Sequence, residues 1–267
     1  MHRINVLSLT APINAQIKNN VFANSTVAIK RTAPSSTLQI VKKMENPKGN
    51  PLLAAIKQFA DNPQKLQEEL KKLVNEGQEK VCGYLIDILA MRSKNTAEHM
   101  KGVARIATKF AKEIGLSTQK TEEIRVAALV HDIGKIFTPL NVLNKPGRLD
   151  DAERAIMAEH APLGKKFLKQ LGLTKINKVF DNASELAEKH HTSFKTLHFS
   201  KTKTTEEEVL ELSDVFNALT KKRVYHRPKT PYTALKIMQE MQQKRQLWTP
   251  VFFEKFTKFV EKNYCKK

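Results

Sequence analysis

Between residues 63 and 92 the apolar side chains Leu66, Leu70, Leu73, Val74, Val81, Leu85, Ile88 and Leu89 recur mostly at steps of three and four, the period of helices buried along one face. Glu76-Gly77 interrupts the run, so the spacing predicts two helices. A third is expected over about 97–114, with Val103, Ile106, Ala107 and Phe110 on one face and Gly115 as its stop. A fourth is expected over about 121–134, with Ile124, Ala127, Ala128 and Val130 inside. Further helices are expected over 152–160, opened by Asp150 and Asp151, and then over 163–171, 177–191, 206–220, 231–242 and 250–262, with a loop over 138–148 and a polar surface loop over 191–205. Only 9 glycines and 11 prolines among 267 residues leave few turn-formers for a β fold. The expected class is all-α, with one large domain or one domain with appendages.

Residues 1–50 are rich in Ser, Thr and Asn and contain seven Lys/Arg against Glu45 alone. They read as a flexible basic leader ahead of a helical domain over 51–267. A transit or secretion signal is the other reading of such a leader. The formal charge of +19 is concentrated at the two ends, with thirteen Lys/Arg against three acids in residues 220–267. A field of this sign gathers phosphates, nucleic acids or anionic membrane surfaces without choosing among them. Cys82 and Cys265 form no CxxC spacing, which suits a reducing compartment. With no long apolar run to span a membrane, a soluble cytoplasmic protein is expected.

His131 and Asp132 stand at the end of the apolar fourth helix, where two metal-competent side chains are costly to bury without partners. Imidazole and carboxylate together suit Mn, Fe, Ni or Zn, and an Asp can bridge two ions. An isolated His-Asp dipeptide carries little weight. Here it keeps company with His99, His160, the pair His190-His191 and Asp214, each ending or interrupting an expected helix and mostly about thirty residues from the next. One ligand site per helix can converge in a bundle cavity.

The ordered series His131-Asp132-Ile133-Gly134-Lys135, then Pro139, Lys145, Glu153, His160 and Gly164, then His190-His191, then Asp214 through Thr220, then Arg223-Val224-Tyr225, resembles the HD-GYP branch of the HD phosphohydrolase superfamily over about residues 60–262. The resemblance implies an HD-type helical bundle with extra N- and C-terminal helices. It implies a centre of two divalent transition-metal ions with His99, His131, Asp132, His160, His190, His191 and Asp214 as ligands and Asp132 as the bridge. It implies hydrolysis of cyclic di-GMP or a related cyclic dinucleotide by a metal-bridging hydroxide. Lys135 would hold a phosphate oxygen and support catalysis beside Asp132, with Arg223, Tyr225 and His226 forming a substrate-binding corner.

The pattern departs from the family in the loop after His190-His191, where His198-Phe199-Ser200 occupies the place of Gly-Tyr-Pro. Phe199 can stack on a base but offers no hydroxyl. Asn95 stands where three-metal members carry a glutamate, so two ions are expected. Two alternatives stay open: a catalytically impaired module that binds a nucleotide or a protein partner, and an HD phosphohydrolase acting on other nucleotides or on nucleic acid.

Overall fold

The computed structural model describes residues 37–191, 203–221 and 228–265, and among these it contains helices and no strand. The expected all-α class is what the chain adopts. Helix α1 (Thr37–Lys42) is followed by α2 (Pro51–Phe59), α3 (Pro63–Asn75), α4 (Gln78–Ala90), α5 (Lys94–Glu113) and α6 (Thr118–Val130). A 3-10 segment (Ile133–Phe137) leads to the short α7 (Leu140–Leu143), then α8 (Asp151–Ala158), α9 (His160–Leu171), α10 (Leu173–Ile176) and α11 (Lys178–Lys189). The chain closes with α12 (Thr205–Thr220), α13 (Pro231–Arg245) and α14 (Pro250–Tyr264).

The starts of these helices are written in their capping residues. The side chains of Asn50, Asn62, Ser93, Ser117 and Thr230 accept from backbone N–H groups of the first turn, satisfying donors that have no partner within the helix. Asp150 with Glu153 and Thr204 with Glu207 form reciprocal capping boxes. Pro51, Pro63, Pro231 and Pro250 occupy first helical positions, where the missing N–H and preset φ suit a helix start.

Helix α6 runs through the middle of the bundle. Ile124, Val126, Ala127, Ala128 and Val130 are buried around its circumference, because α4, α5, α11 and α12 all pack against it. A second core layer joins α5 to α14, where the Phe110 ring meets Phe256 and Phe259 at centroid separations of 5.0 and 5.1 Å. Each such buried ring contributes roughly 1.5–3 kcal/mol of transfer free energy. No helix of the described residues is long and apolar enough to cross a membrane.

The structure corrects several boundaries. The leader was expected to reach residue 50, but Leu38 and Val41 of α1 are buried against the bundle, since this turn of chain carries an apolar face. Residues 1–36, and with them the signal reading, lie outside the described residues. Helix α6 stops at Val130 rather than continuing to Gly134, because the chain tightens into the 3-10 segment where Gly134 meets the start of α9. Helix α9 begins at His160 rather than near residue 163, and α11 ends at Lys189, just before His190-His191. Each shift leaves a candidate ligand at or just past a helix end.

Candidate metal centre

Four imidazoles reach the centre of the bundle, and each is oriented through its Nδ1 atom. Three use one device: His131, His160 and His190 donate from Nδ1 to the carbonyl three residues back, Ala128 at 2.8 Å, Met157 at 2.6 Å and Ala187 at 2.5 Å. His99 instead donates from Nδ1 to Asn217 Oδ1 at 2.8 Å and directs Nε2 at Asp214 Oδ1, 2.7 Å away. Fixing the proton on Nδ1 leaves the Nε2 lone pair free to ligate, as hydrogen bonds to the other ring nitrogen commonly do for metal-binding histidines. His99, His131, His160 and His190 are buried, and His191 is exposed.

The carboxylates lie between these rings. Asp132 turns Oδ1 to His160 Nε2 at 3.2 Å and Oδ2 to His131 Nε2 at 3.5 Å. Asp214 Oδ1 lies 3.8 Å from His131 Nε2 as well as beside His99. Three triads have ligand atoms within 4.8 Å of one another: His99, His131 and Asp214; His131, Asp132 and His190; His160, His190 and His191. They share His131 and His190, so the seven expected ligands form one continuous cluster. His131 Nε2 is buried without a hydrogen-bond partner, an orphaned lone pair among carboxylates and imidazoles that a divalent cation would satisfy. The donor set fits a metal.

The electrostatics point the same way. Burial disfavours a charged His131, but the Asp132 and Asp214 carboxylates outweigh it and raise its pKa above the ordinary value. Burial opposes the Asp132 charge as well, yet Lys135, His131 and His160 hold its carboxyl well below the usual range. Asp214 is likewise held low against burial by its hydrogen bond to His99 and the surrounding rings. Burial pushes His160 down to about 4 and, with His191 and His131 nearby, drives His190 well below the ordinary histidine value. At neutral pH the buried site therefore presents ionised Asp132 and Asp214 and neutral His160 and His190, the forms that ligate metals.

Two close approaches build this geometry. An added Cβ at Gly134 would lie 2.5 Å from Gly164 N and 2.8 Å from His160 C, so the missing side chain lets the 3-10 segment touch α9 and bring His160 to Asp132. At Gly102 a Cβ would overlap the Asn217 side chain, with its Cγ and Oδ1 at 3.0 Å. That gap admits the amide that orients His99. Asn217 and the two glycines were not assigned these roles from sequence, although Asn217 and Gly134 stand in the ordered series and Asn217 lies three residues from Asp214 on one helix.

Lys135 projects from the 3-10 segment and places Nζ 2.7 Å from Asp132 Oδ2, with 17% of its side chain exposed. Asn95 is exposed on α5, and Glu98 turns outward to pair with Lys101 at 3.1 Å. Phe199, Arg223, Tyr225 and His226 lie outside the described residues.

The profile of the family described as the HD domain matches residues 83–247. Among curated proteins, the chain is 30% identical over 176 residues to 3'3'-cGAMP-specific phosphodiesterase 2 of Vibrio cholerae, covering 64% of this chain and 32% of that one. It is 28% identical over 183 residues to the cyclic di-GMP phosphodiesterase of Thermotoga maritima, covering 65% and 48%. The chain thus spans between a third and a half of the length of these relatives. Among solved structures, the HD domain of the L. monocytogenes phosphodiesterase PgpH superposes with a TM-score of 0.51 at 21% identity, covering 66% of this chain and 94% of that one. That likeness is one of fold.

Proposed function

The chain belongs to the HD-domain family, and from that premise we propose that it is a metal-dependent phosphodiesterase acting on cyclic dinucleotides of the cyclic di-GMP and cGAMP type. The observation that carries the reading is the continuous cluster of seven ligands with an orphaned His131 Nε2 at its heart. The relatives' activities on such substrates support the substrate class.

Two divalent ions are the proposed complement, one on the side of His99, His131 and Asp214, the other on the side of His160, His190 and His191. Asp132, with Oδ2 toward His131 and Oδ1 toward His160, is the carboxylate that would be shared between the two. When bound, such ions lower the pKa of a coordinated water and neutralise charge on a phosphodiester. The chain's own residues do the rest. The Nδ1 hydrogen bonds hold the rings in register, so little reorganisation accompanies binding. Lys135, on the partly exposed rim, can turn from Asp132 to a non-bridging phosphate oxygen and offset the charge that develops there.

The test is to load the protein with Mn, Fe, Ni or Zn, determine metal content by elemental analysis, and follow cyclic di-GMP and 3'3'-cGAMP by chromatography. About two ions per chain and linear or mononucleotide products are expected, with Asp132→Asn losing both metal and turnover. Absence of turnover with every metal would sink the hydrolase reading. Tight nucleotide binding without product would instead indicate a binding module.

A further inference from the structure

A cavity of about 400 Å³ opens beside the candidate metal centre, lined by His190, His191 and Asp214 together with Met241, Arg245 and Trp248. Its charged groups are not equivalent. Asp214 is committed to His99. Lys203 and Glu211, which also line the cavity, form a buried ion pair with each other. Arg245 is exposed, and its guanidinium has no hydrogen-bond or ion-pair partner among the described residues. An arginine without a partner among the described residues thus lines the same cavity as three candidate metal ligands, and its planar fork matches two oxygens of a phosphate.

The turn that carries Arg245 is held firmly. Gln246, the cap of α13, has a φ of 49°, a left-handed conformation that a non-glycine residue keeps only where its surroundings impose it. Here the Gln242 side chain bonds both Trp248 O at 2.7 Å and Trp248 N at 3.0 Å. Lys203 Nζ donates to Leu247 O at 2.8 Å, and Glu208 accepts from Thr249 N and, at 3.0 Å, from its hydroxyl. The backbone under Arg245 is therefore positioned before any ligand arrives, which lowers the ordering cost of binding.

We propose that Arg245 holds a second phosphate of a substrate whose first phosphate lies at the metal centre, so that the cavity selects diesters carrying two phosphates over those carrying one. This rests on the hydrolase reading above. A helix-end arginine that served only the helix dipole would affect stability and leave substrate selection alone.

The experiment compares metal-loaded wild type, Arg245→Ala and Arg245→Lys on cyclic di-GMP and on bis(4-nitrophenyl) phosphate, which has a single phosphate and no nucleoside. Arg245→Ala is expected to lower the ratio of kcat/KM for the dinucleotide over the aryl diester about 10- to 100-fold, through the KM of the dinucleotide rather than its kcat. Arg245→Lys should recover part of that loss, since it keeps the charge without the fork. Equal losses on both substrates, or none, would overturn the assignment while leaving the hydrolase reading intact. If wild type cleaves neither substrate, the hydrolase reading fails, and calorimetric titration with cyclic di-GMP still decides Arg245. Affinity about tenfold weaker in Arg245→Ala would support its role; equal affinity, or no binding by wild type, would overturn it.

Discussion

Replacing Gly134 by alanine should be among the most damaging single-methyl changes available to this protein. A Cβ there would meet the His160 carbonyl and stand 2.5 Å from Gly164 N and 2.8 Å from His160 C, where ordinary Cβ contacts begin near 3.4 Å. The 3-10 segment and α9 would have to separate by roughly an ångström, and both sides of the contact are backbone, so no rotamer change can relieve it. Overpacking typically costs about 1–3 kcal/mol, and a backbone-on-backbone clash belongs at the top of that range. Because the same contact sets His160 against Asp132, metal affinity should fall as well. Gly164→Ala is the control. Its Cβ would meet Gly134 N at 3.2 Å and Ile133 Cγ2 at 3.3 Å, a tight fit offset by about 1 kcal/mol of helix propensity gained inside α9. Urea unfolding of the metal-free proteins, with unchanged m-values, should place Gly134→Ala about 3 kcal/mol below wild type and Gly164→Ala within about 1 kcal/mol of it. Elemental analysis after metal loading should rank them in the same order. A Gly134→Ala protein within about 0.5 kcal/mol of wild type would refute the claim that this close approach builds the site.

Three further outcomes are expected. Asn217→Ala removes the amide that fixes His99 Nδ1, so metal affinity measured against a chelator should drop about 10- to 100-fold with a smaller change in stability; an unchanged affinity would mean that Asp214 alone orients the ring. In the metal-free protein, burial holds His160 near 4, below the 6.5 of an unburied histidine. The unfolded chain therefore binds the extra proton between those values, and stability present above pH 6.5 is lost as pH falls toward 4. Unfolding midpoints across this window should show that slope, and His160→Gln should reduce it by up to about 1.4 kcal/mol per pH unit; an equal slope in the variant would count against a buried neutral imidazole. Burial pushes the Cys82 thiol up to about 12, so a thiol reagent at pH 8 should modify Cys265 in the folded protein and reach Cys82 only after denaturation; mass spectrometry of the labelled peptides distinguishes the two.

The periodic apolar steps and the capping residues made the helical class and most helix starts legible in the sequence, because both signals are local. Helix ends around the candidate metal centre were less legible. Nothing local to residues 131–134 says that α6 must stop at Val130; the contact of Gly134 with α9 imposes it. The turn at Gln246 is similar, since its left-handed backbone is held by Gln242, Lys203 and Glu208 rather than by its own preference.

The seven candidate ligands and their order along the chain were likewise legible in the sequence, through the resemblance of the ordered His and Asp series to the HD-GYP pattern. Their convergence was expected from that resemblance, but its geometry was not legible, since it depends on helices far apart in the chain crossing at one point. Only the tertiary structure decided which imidazole nitrogen faces inward, that Asp132 turns an oxygen toward each half of the cluster, and that Asn217 reaches His99 across the gap at Gly102. The physical reason is range. Propensity, capping and periodicity act within a few residues, whereas orientation and protonation at the centre are set by groups up to 118 positions distant, as Asn217 is from His99.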